Sequence, residues 1–331
     1  HEFCGEIVEV GSRWKEKFEP GRKFSIQPAL NYRGSLDAPG YSFRYIGGDA
    51  TYVVIPNEVM EMDCLLDYKG DAYFMGSLSE PMSCIVGTFK AMYHTTPGSY
   101  EHSMGIKPDG SMALLAGAGP MGLGTIDFAI HAEVKPSLLV VTDIDQTRLD
   151  RVASIYTPEH AAEHGVKLVY VNTRDVEDVP DHLRSYNDGE GFDDVLVFAP
   201  VPPVVEQGDA ILGRDGCLNF FAGLTDTSVS APFNFYNVHY ASTHVVGTSG
   251  GNTEDMIDSL ELMADGVINP VAMITHVGGL DSVVETTKHL PDIPGGKKLI
   301  YTNISMELTA IDEFREKAAE SALFAGLADI V

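Results

Sequence analysis

The imidazole of His1 and the carboxylate of Glu2 are neighbouring side chains of the two types that hold zinc through nitrogen and oxygen. Glu80 offers a third donor, and Cys84, one helical turn later, offers a thiol. His1, Glu2 and Glu80 are therefore the candidate metal ligands and catalytic groups. Three protein ligands leave one coordination position for water or substrate, where the ion can polarise a carbonyl. Glu80 has a second reading, as a carboxylate stabilised by the dipole of a helix that starts beside it. Cys4 and Cys84 read more simply as packing residues.

A second constellation is Gly117-Ala118-Gly119-Pro120-Met121-Gly122, which follows the apolar run Ala113–Ala116 and opens a helical pattern. In a strand–turn–helix of this kind the first glycine permits the turn, the second lets the backbone approach a pyrophosphate, and the third allows helix and strand to pack closely. The N–H groups at the helix start then face the anion. The next apolar run ends at Asp143, the place of a carboxylate that binds ribose hydroxyls; the alternative is an acidic residue at the start of the following helix. Gly117, Gly119, Pro120, Met121, Gly122 and Asp143 are the candidate cofactor residues. Asp143 would accept a 2′-hydroxyl and repel a 2′-phosphate, which favours NADH, whereas Arg148 nearby would favour NADPH; both coenzymes stay open. The turn Gly295-Gly296-Lys297-Lys298 can aim ammonium groups at a phosphate, and Lys297 joins the cofactor candidates, with a solvated hairpin as the alternative. Arg44 is the candidate for a substrate phosphate, and His94, His102 and His276 are further basic groups near loops.

These residues need rigid elements to hold them. Residues 1–60 read as β, with strand signals at Gly5–Val10, Lys23–Gln27 and Ala50–Ile55 and an aperiodic loop at Ala29–Tyr45. A helix is expected from about Ser79, with Ser79 as N-cap and Pro81 in the first turn. Pro97–Gly110 reads as a loop. From Ser111 to Ala222 continuous apolar strand runs alternate with helical ones, the pattern of parallel strands covered on both faces. Val245–Thr248 is a further strand, Thr253–Ala264 a helix, and residues 271–303 return to β signals before a helical extension from Met306. The expected organisation is a split β-rich domain, residues 1–85 with 271–331, around a dinucleotide-binding domain of residues 86–270.

The chain of 331 residues carries 22 Lys and Arg against 48 Asp and Glu, a net charge of −26. Such a surface repels nucleic acid and anionic lipid. The 4 cysteines are far apart and form no C-x-x-C, which argues against a disulfide framework and for a reducing, cytoplasmic setting. No apolar stretch is long and unbroken enough for a membrane span.

Taken together, His1-Glu2-Phe3-Cys4-Gly5-Glu6-Ile7, Pro39–Phe43, Gly47–Pro56, Glu80-Pro81, Gly117–Gly122, Gly216–Gly223 and Val246–Thr253 resemble the zinc-dependent medium-chain dehydrogenases/reductases, in their polyol dehydrogenase branch, over almost the whole chain. The resemblance implies a Rossmann-type doubly wound parallel sheet inserted in a β-rich, GroES-like catalytic domain. It implies reduction of L-sorbose 1-phosphate to D-glucitol 6-phosphate with NADPH or NADH and one catalytic zinc, with His1 as a ligand and Glu2 and Glu80 as ligand or water-binding carboxylates. Another sugar phosphate, such as galactitol 1-phosphate, or a catalytically incomplete cofactor-binding protein are the alternatives. Members of the family carry a zinc-ligating cysteine and a proton-relay hydroxyl before the His-Glu pair. The expectation is thus a catalytic domain lacking its N-terminal part and weak or no turnover by these residues alone. Ala29–Tyr45 lacks the four cysteines of the family's structural zinc, so none is expected. Relatives form dimers or tetramers by pairing an edge strand, for which Val245–Thr248 is the candidate.

Overall fold

In the computed structural model the chain divides into two compact units, His1–Ser79 with Pro270–Val331, and Glu80–Asn269. The structure describes residues 1–319 and 321–328; the end of the helical extension expected from Met306 lies outside the described residues.

The first unit opens with an antiparallel sheet of β1 (Cys4–Glu6), β2 (Lys23–Ile26) and β3 (Leu65–Asp67), with α1 (Asn57–Glu61) before the last strand. Ile26, Leu30, Val59 and Cys64 centre its core. The alternation expected as a strand at Ala50–Ile55 is present in the side chains, since Val53 and Ile55 pack on this core while Tyr52 and Val54 face solvent. The backbone there finds no ladder partner and bends over Ala50–Tyr52, so it is not a strand. Leu65–Asp67 carried too short a pattern to stand out in the sequence.

Helix α2 (Tyr73–Ala91) departs most from expectation. It begins at Tyr73, not near Ser79, and Pro81 lies in its interior. A proline there cannot donate to the carbonyl one turn back, but burial of Leu78, Met82, Ile85, Val86 and Phe89 holds the helix through the defect.

The second unit continues through the hairpin β4 (Tyr93–Thr95) and β5 (His102–Met104), the latter within the stretch Pro97–Gly110 expected as a loop. A six-stranded sheet follows: β6 (Ser111–Leu115), β7 (Leu138–Asp143), β8 (Lys167–Asn172), β9 (Phe192–Val197), β10 (Leu212–Phe220) and β11 (His244–Gly247). Every pairing is parallel and the order is β11-β10-β9-β6-β7-β8. Read from the other edge this is the doubly wound order 3-2-1-4-5-6, with the chain reversing direction across the sheet between β6 and β9. The strands are linked by α3 (Pro120–His131), α4 (Gln146–Ile155), α5 (Pro158–Glu163), α6 (Val179–Arg184), α7 (Pro202–Ile211) and α8 (Phe235–Tyr240), and α9 (Thr253–Ala264) follows β11. Buried Leu115, Val140, Phe192, Val195 and Leu218 form the sheet's core, as continuous apolar runs require. Capping explains why two helices start where they do. Asp145 accepts from the N–H of Thr147, and Asn252 and Asp255 exchange side-chain-to-backbone bonds at the head of α9. Strand β11 lies at the sheet edge, with Val245 exposed.

The chain then returns to the first unit with β12 (Ile274–Gly279), β13 (Lys297–Tyr301) and β14 (Thr309–Ala310) in the order β13-β12-β14, and α10 (Val283–His289) joins the first two strands. Val271–Met273, where the β signals were expected to resume, lie in a 3-10 turn, Pro270–Met273. Helices α11 (Phe314–Lys317) and α12 (Ala322–Ala328) close the described chain, packing Phe314 and Phe324 on Met306. Among the described residues no helix is long and apolar enough to cross a membrane.

Candidate active site

Glu80 follows directly on a turn of α2 that packs against β1. Gly76 packs against β1 so closely that a Cβ on it would stand 2.5 Å from Cys4 Sγ. Glu80 is one turn further along the same face, and His1-Glu2 lead directly into β1. Ser25 Oγ lies 2.8 Å from both Gly76 O, to which it donates, and Ser79 Oγ, so this turn of α2 is tied to β2.

The outcome is a group of three donors. One ligand atom each from His1, Glu2 and Glu80 lies within 4.8 Å of the others, with His1 and Glu2 exposed and Glu80 buried. The amino terminus of His1 donates to Gly40 O at 3.2 Å, and its ring meets Tyr41 edge-on at 6.0 Å. Gly40 has φ +79°, and a Cβ on it would lie 2.7 Å from His1 Cα, so glycine is needed there on both counts. Lys297 Nζ donates to both oxygens of Glu2 at 2.6 Å. Cys84 Sγ is 3.7 Å from Glu80 Oε1. Burial pushes the Cys4 thiol up to about 12, against the pull of Lys23, so it stays protonated and packs. One imidazole and two carboxylates suit zinc, and three protein ligands are the number that leaves a reactive position open.

In the second unit the glycine turn sits at the carboxyl end of β6, beside the reversal point where such sheets bind ligands. Ala116 takes φ 55°, and Gly117 N donates to Thr142 O at 2.8 Å. A Cβ at Gly122 would stand 1.7 Å from Gly117 O, which makes this glycine obligatory. Gly119 is different: nothing lies within 4 Å of where its Cβ would be, so the space is open to a ligand. Gly119 is the N-cap of α3 with no side-chain cap bond, and Pro120 follows at the first position, so no capping side chain competes for the N–H groups of Met121 and Gly122. These residues fit a pyrophosphate. Asp143 ends β7, is 5% exposed, and accepts from Asp145 N at 3.0 Å. Arg148 Nε stands 3.8 Å from Asp145 Oδ2 in solvent.

The remaining basic candidates have other partners. Lys297 faces Glu2, and Lys298 Nζ donates to the carbonyls of Pro294 and Gly296 at 2.9 and 2.6 Å. His94 is buried between Asp194 Oδ1 and Asp215 O, both at 3.1 Å. His102 stacks on Tyr93, and burial followed by the charge of Lys298 lowers the pKa of His276. Among the described residues none of these three histidines joins a group of three donors. Arg44 is exposed, in the loop whose Gly40 holds the His1 backbone.

Residues 120–265 match the family model described as zinc-binding dehydrogenase. The chain is 54% identical over 327 residues to a mannitol-1-phosphate 5-dehydrogenase of Aliivibrio fischeri, covering 99% of this chain and 77% of that protein. The chain belongs to the zinc-binding dehydrogenases. It is also 48% identical over 317 residues to an L-sorbose 1-phosphate reductase of Klebsiella pneumoniae, covering 96% of this chain and 76% of that protein. Among solved structures, 2R,3R-butanediol dehydrogenase of Bacillus subtilis superposes with a TM-score of 0.70 at 20% identity, over 92% of this chain and 80% of that one. At that identity the likeness speaks for the fold, a Rossmann-type sheet in a chain whose other part is GroES-like.

One group of donors was not singled out from the sequence: His131, His160 and His164, with ligand atoms also within 4.8 Å of one another. The spacing His160-x-x-x-His164, which places two imidazoles on one helical face, was the available signal.

Proposed function

We propose that this zinc-binding dehydrogenase interconverts a ketose phosphate and its polyol phosphate with NADPH or NADH, with L-sorbose 1-phosphate and D-glucitol 6-phosphate as the pair tested first. The observation that carries the reading is the convergence of His1, Glu2 and Glu80 within 4.8 Å. The names of the two relatives supply the substrate class: one acts on mannitol 1-phosphate and the other on L-sorbose 1-phosphate. The identity to the first favours mannitol 1-phosphate as the second reading.

In this reading the nicotinamide supplies the hydride, and zinc supplies Lewis-acid polarisation of the carbonyl being reduced. The chain's own groups do the rest. His1, Glu2 and Glu80 hold the ion. Lys297 orients Glu2 and offsets part of the charge of two adjacent carboxylates. The N–H groups at the head of α3 receive the pyrophosphate, and Asp143 receives the ribose hydroxyls. Arg44 is assigned to the substrate phosphate, because a net charge of −26 demands a local cation for an anionic substrate.

The test is an initial-rate panel with both coenzymes against L-sorbose 1-phosphate, mannitol 1-phosphate and the unphosphorylated sugars, before and after chelation. Chelator-sensitive turnover confined to phosphorylated substrates is expected. Zinc-loaded protein that turns over none of them would overturn the reading.

A further inference from the structure

The geometry points to a second divalent-cation site in the dinucleotide-binding unit, where His131, His160 and His164 would hold a zinc-class ion through three imidazole nitrogens. This lies outside the glycine turn and the His1 group, and it departs from the expectation of a single zinc.

The last turn of α3 presents His131; α5 presents His160, and His164 caps its end. Their ring centroids lie 5.3, 4.7 and 4.6 Å apart pairwise. The hydrogen bonds set two of the tautomers. Nδ1 of His131 is 2.9 Å from both the carbonyl and the carboxylate Oδ1 of Asp127. Both are acceptors, so Nδ1 carries the hydrogen and Nε2 presents its lone pair. Nδ1 of His164 is 3.0 Å from His160 O, again an acceptor, so its Nε2 is also a lone-pair donor. His160 turns Nε2 to within 3.1 Å of His131 Nε2, with its Nδ1 3.9 Å from Glu163.

Two ring nitrogens at that distance share either a hydrogen, which the Nε2–H tautomer of His160 can donate, or a metal ion. Two ligands at 2.0–2.1 Å from a tetrahedral zinc stand about 3.3 Å apart, close to what is seen. Two features favour the metal. Asp127 is 3% exposed and its other oxygen accepts from Asn269 N at 2.7 Å, so a buried carboxylate is held in place behind His131. This is the carboxylate–histidine arrangement that orients metal-ligating imidazoles. The C-terminal ends of α3 and α5 also meet here, and the negative end of a helix dipole favours a cation. The ion would pin the far end of α3, the helix whose other end carries Gly119 and Pro120.

The experiment uses the full chain, stripped by chelator and titrated with Zn2+ alone against a chromophoric competitor. Glu80→Gln takes the buried ligand from the other donor group and weakens it, so tight uptake in this variant reports the histidine site. It is expected to retain one tight zinc equivalent, and adding His160→Gln with His164→Gln should weaken uptake by about 100-fold or more. His164→Gln alone, a change at the end of a short helix, provides the same readout should the combined variant misfold by circular dichroism. Cobalt should give the visible spectrum of a tetrahedral nitrogen site in the Glu80→Gln protein and lose it in the histidine variants. Zinc uptake unchanged by the histidine substitutions, or no zinc bound by folded Glu80→Gln protein, would overturn the proposal and leave a shared hydrogen as the occupant.

Discussion

Lys297 Nζ stands 2.6 Å from both carboxylate oxygens of Glu2, joining the return of the chain in β13 to its opening dipeptide. The pair is partly shielded, with side-chain exposures of 20% and 33%, so it is worth more than an ordinary surface ion pair. It also orients a proposed zinc ligand from behind. Lys297→Met is expected to lower zinc affinity and kcat/KM by about 10–100-fold, the range typical of outer-shell partners. Zinc per chain and steady-state kinetics check this; unchanged values would remove Lys297 from the metal site.

Glu80→Ala should cost more. It removes a ligand itself, so activity is expected to fall by more than about a hundredfold, beyond the outer-shell range. The circular dichroism spectrum should be retained, because α2 is held by its apolar residues. Metal analysis of the purified variant, set beside its activity, separates lost zinc from lost folding.

The two glycines of the turn predict opposite signatures. Gly122→Ala drives a Cβ into the carbonyl of Gly117, with backbone on both sides and no flexible side chain to give way. A loss of about 1–3 kcal/mol or more is expected, read by urea denaturation. Gly119→Ala places its methyl in open space, so stability should hold while coenzyme affinity falls. Equal effects of the two on either measurement would contradict the assignment.

Asp143 tests coenzyme choice. Asp143→Ser removes the charge that opposes a 2′-phosphate, and the NADPH to NADH preference in kcat/KM is expected to rise about tenfold, or ~1.4 kcal/mol. A ratio that stays constant would place the ribose elsewhere.

His94 makes a prediction for pH. Burial on its own would lower its pKa, but Asp194, through its hydrogen bond and charge, and then Asp215 outweigh burial and raise it. His244 is the other neighbour, ring to ring at 6.3 Å. A folded-state pKa above the unfolded value of about 6.5 means the protonated ring stabilises the fold. That contribution is whole below about 6.5 and is lost as pH rises through the elevated folded value. Denaturation midpoints followed from pH 6 upward should therefore decline more in wild type than in His94→Gln. Parallel curves would assign the pair no role in the pH response.

What could be read without coordinates was what neighbours along the chain decide. Gly117–Gly122 announces itself because turn, helix start and close packing are all local demands, and the continuous apolar runs on either side reveal strands covered on both faces. The helices Gln146–Ile155 and Thr253–Ala264 were legible for the same reason, since caps and periodicity lie within a few residues. Folding alone decided the rest. Pro81 reads as a helix start until apolar packing carries α2 through it, because burial of a whole helical face outweighs one missing hydrogen bond. Ala50–Ile55 alternates like a strand, yet a strand needs a partner that sequence does not name. Glu2 meets Lys297, and His131 meets His160, only because separate segments are laid side by side; proximity of that kind is a property of the packed chain, set by the sum of many weak apolar contacts rather than by any residue's own preference.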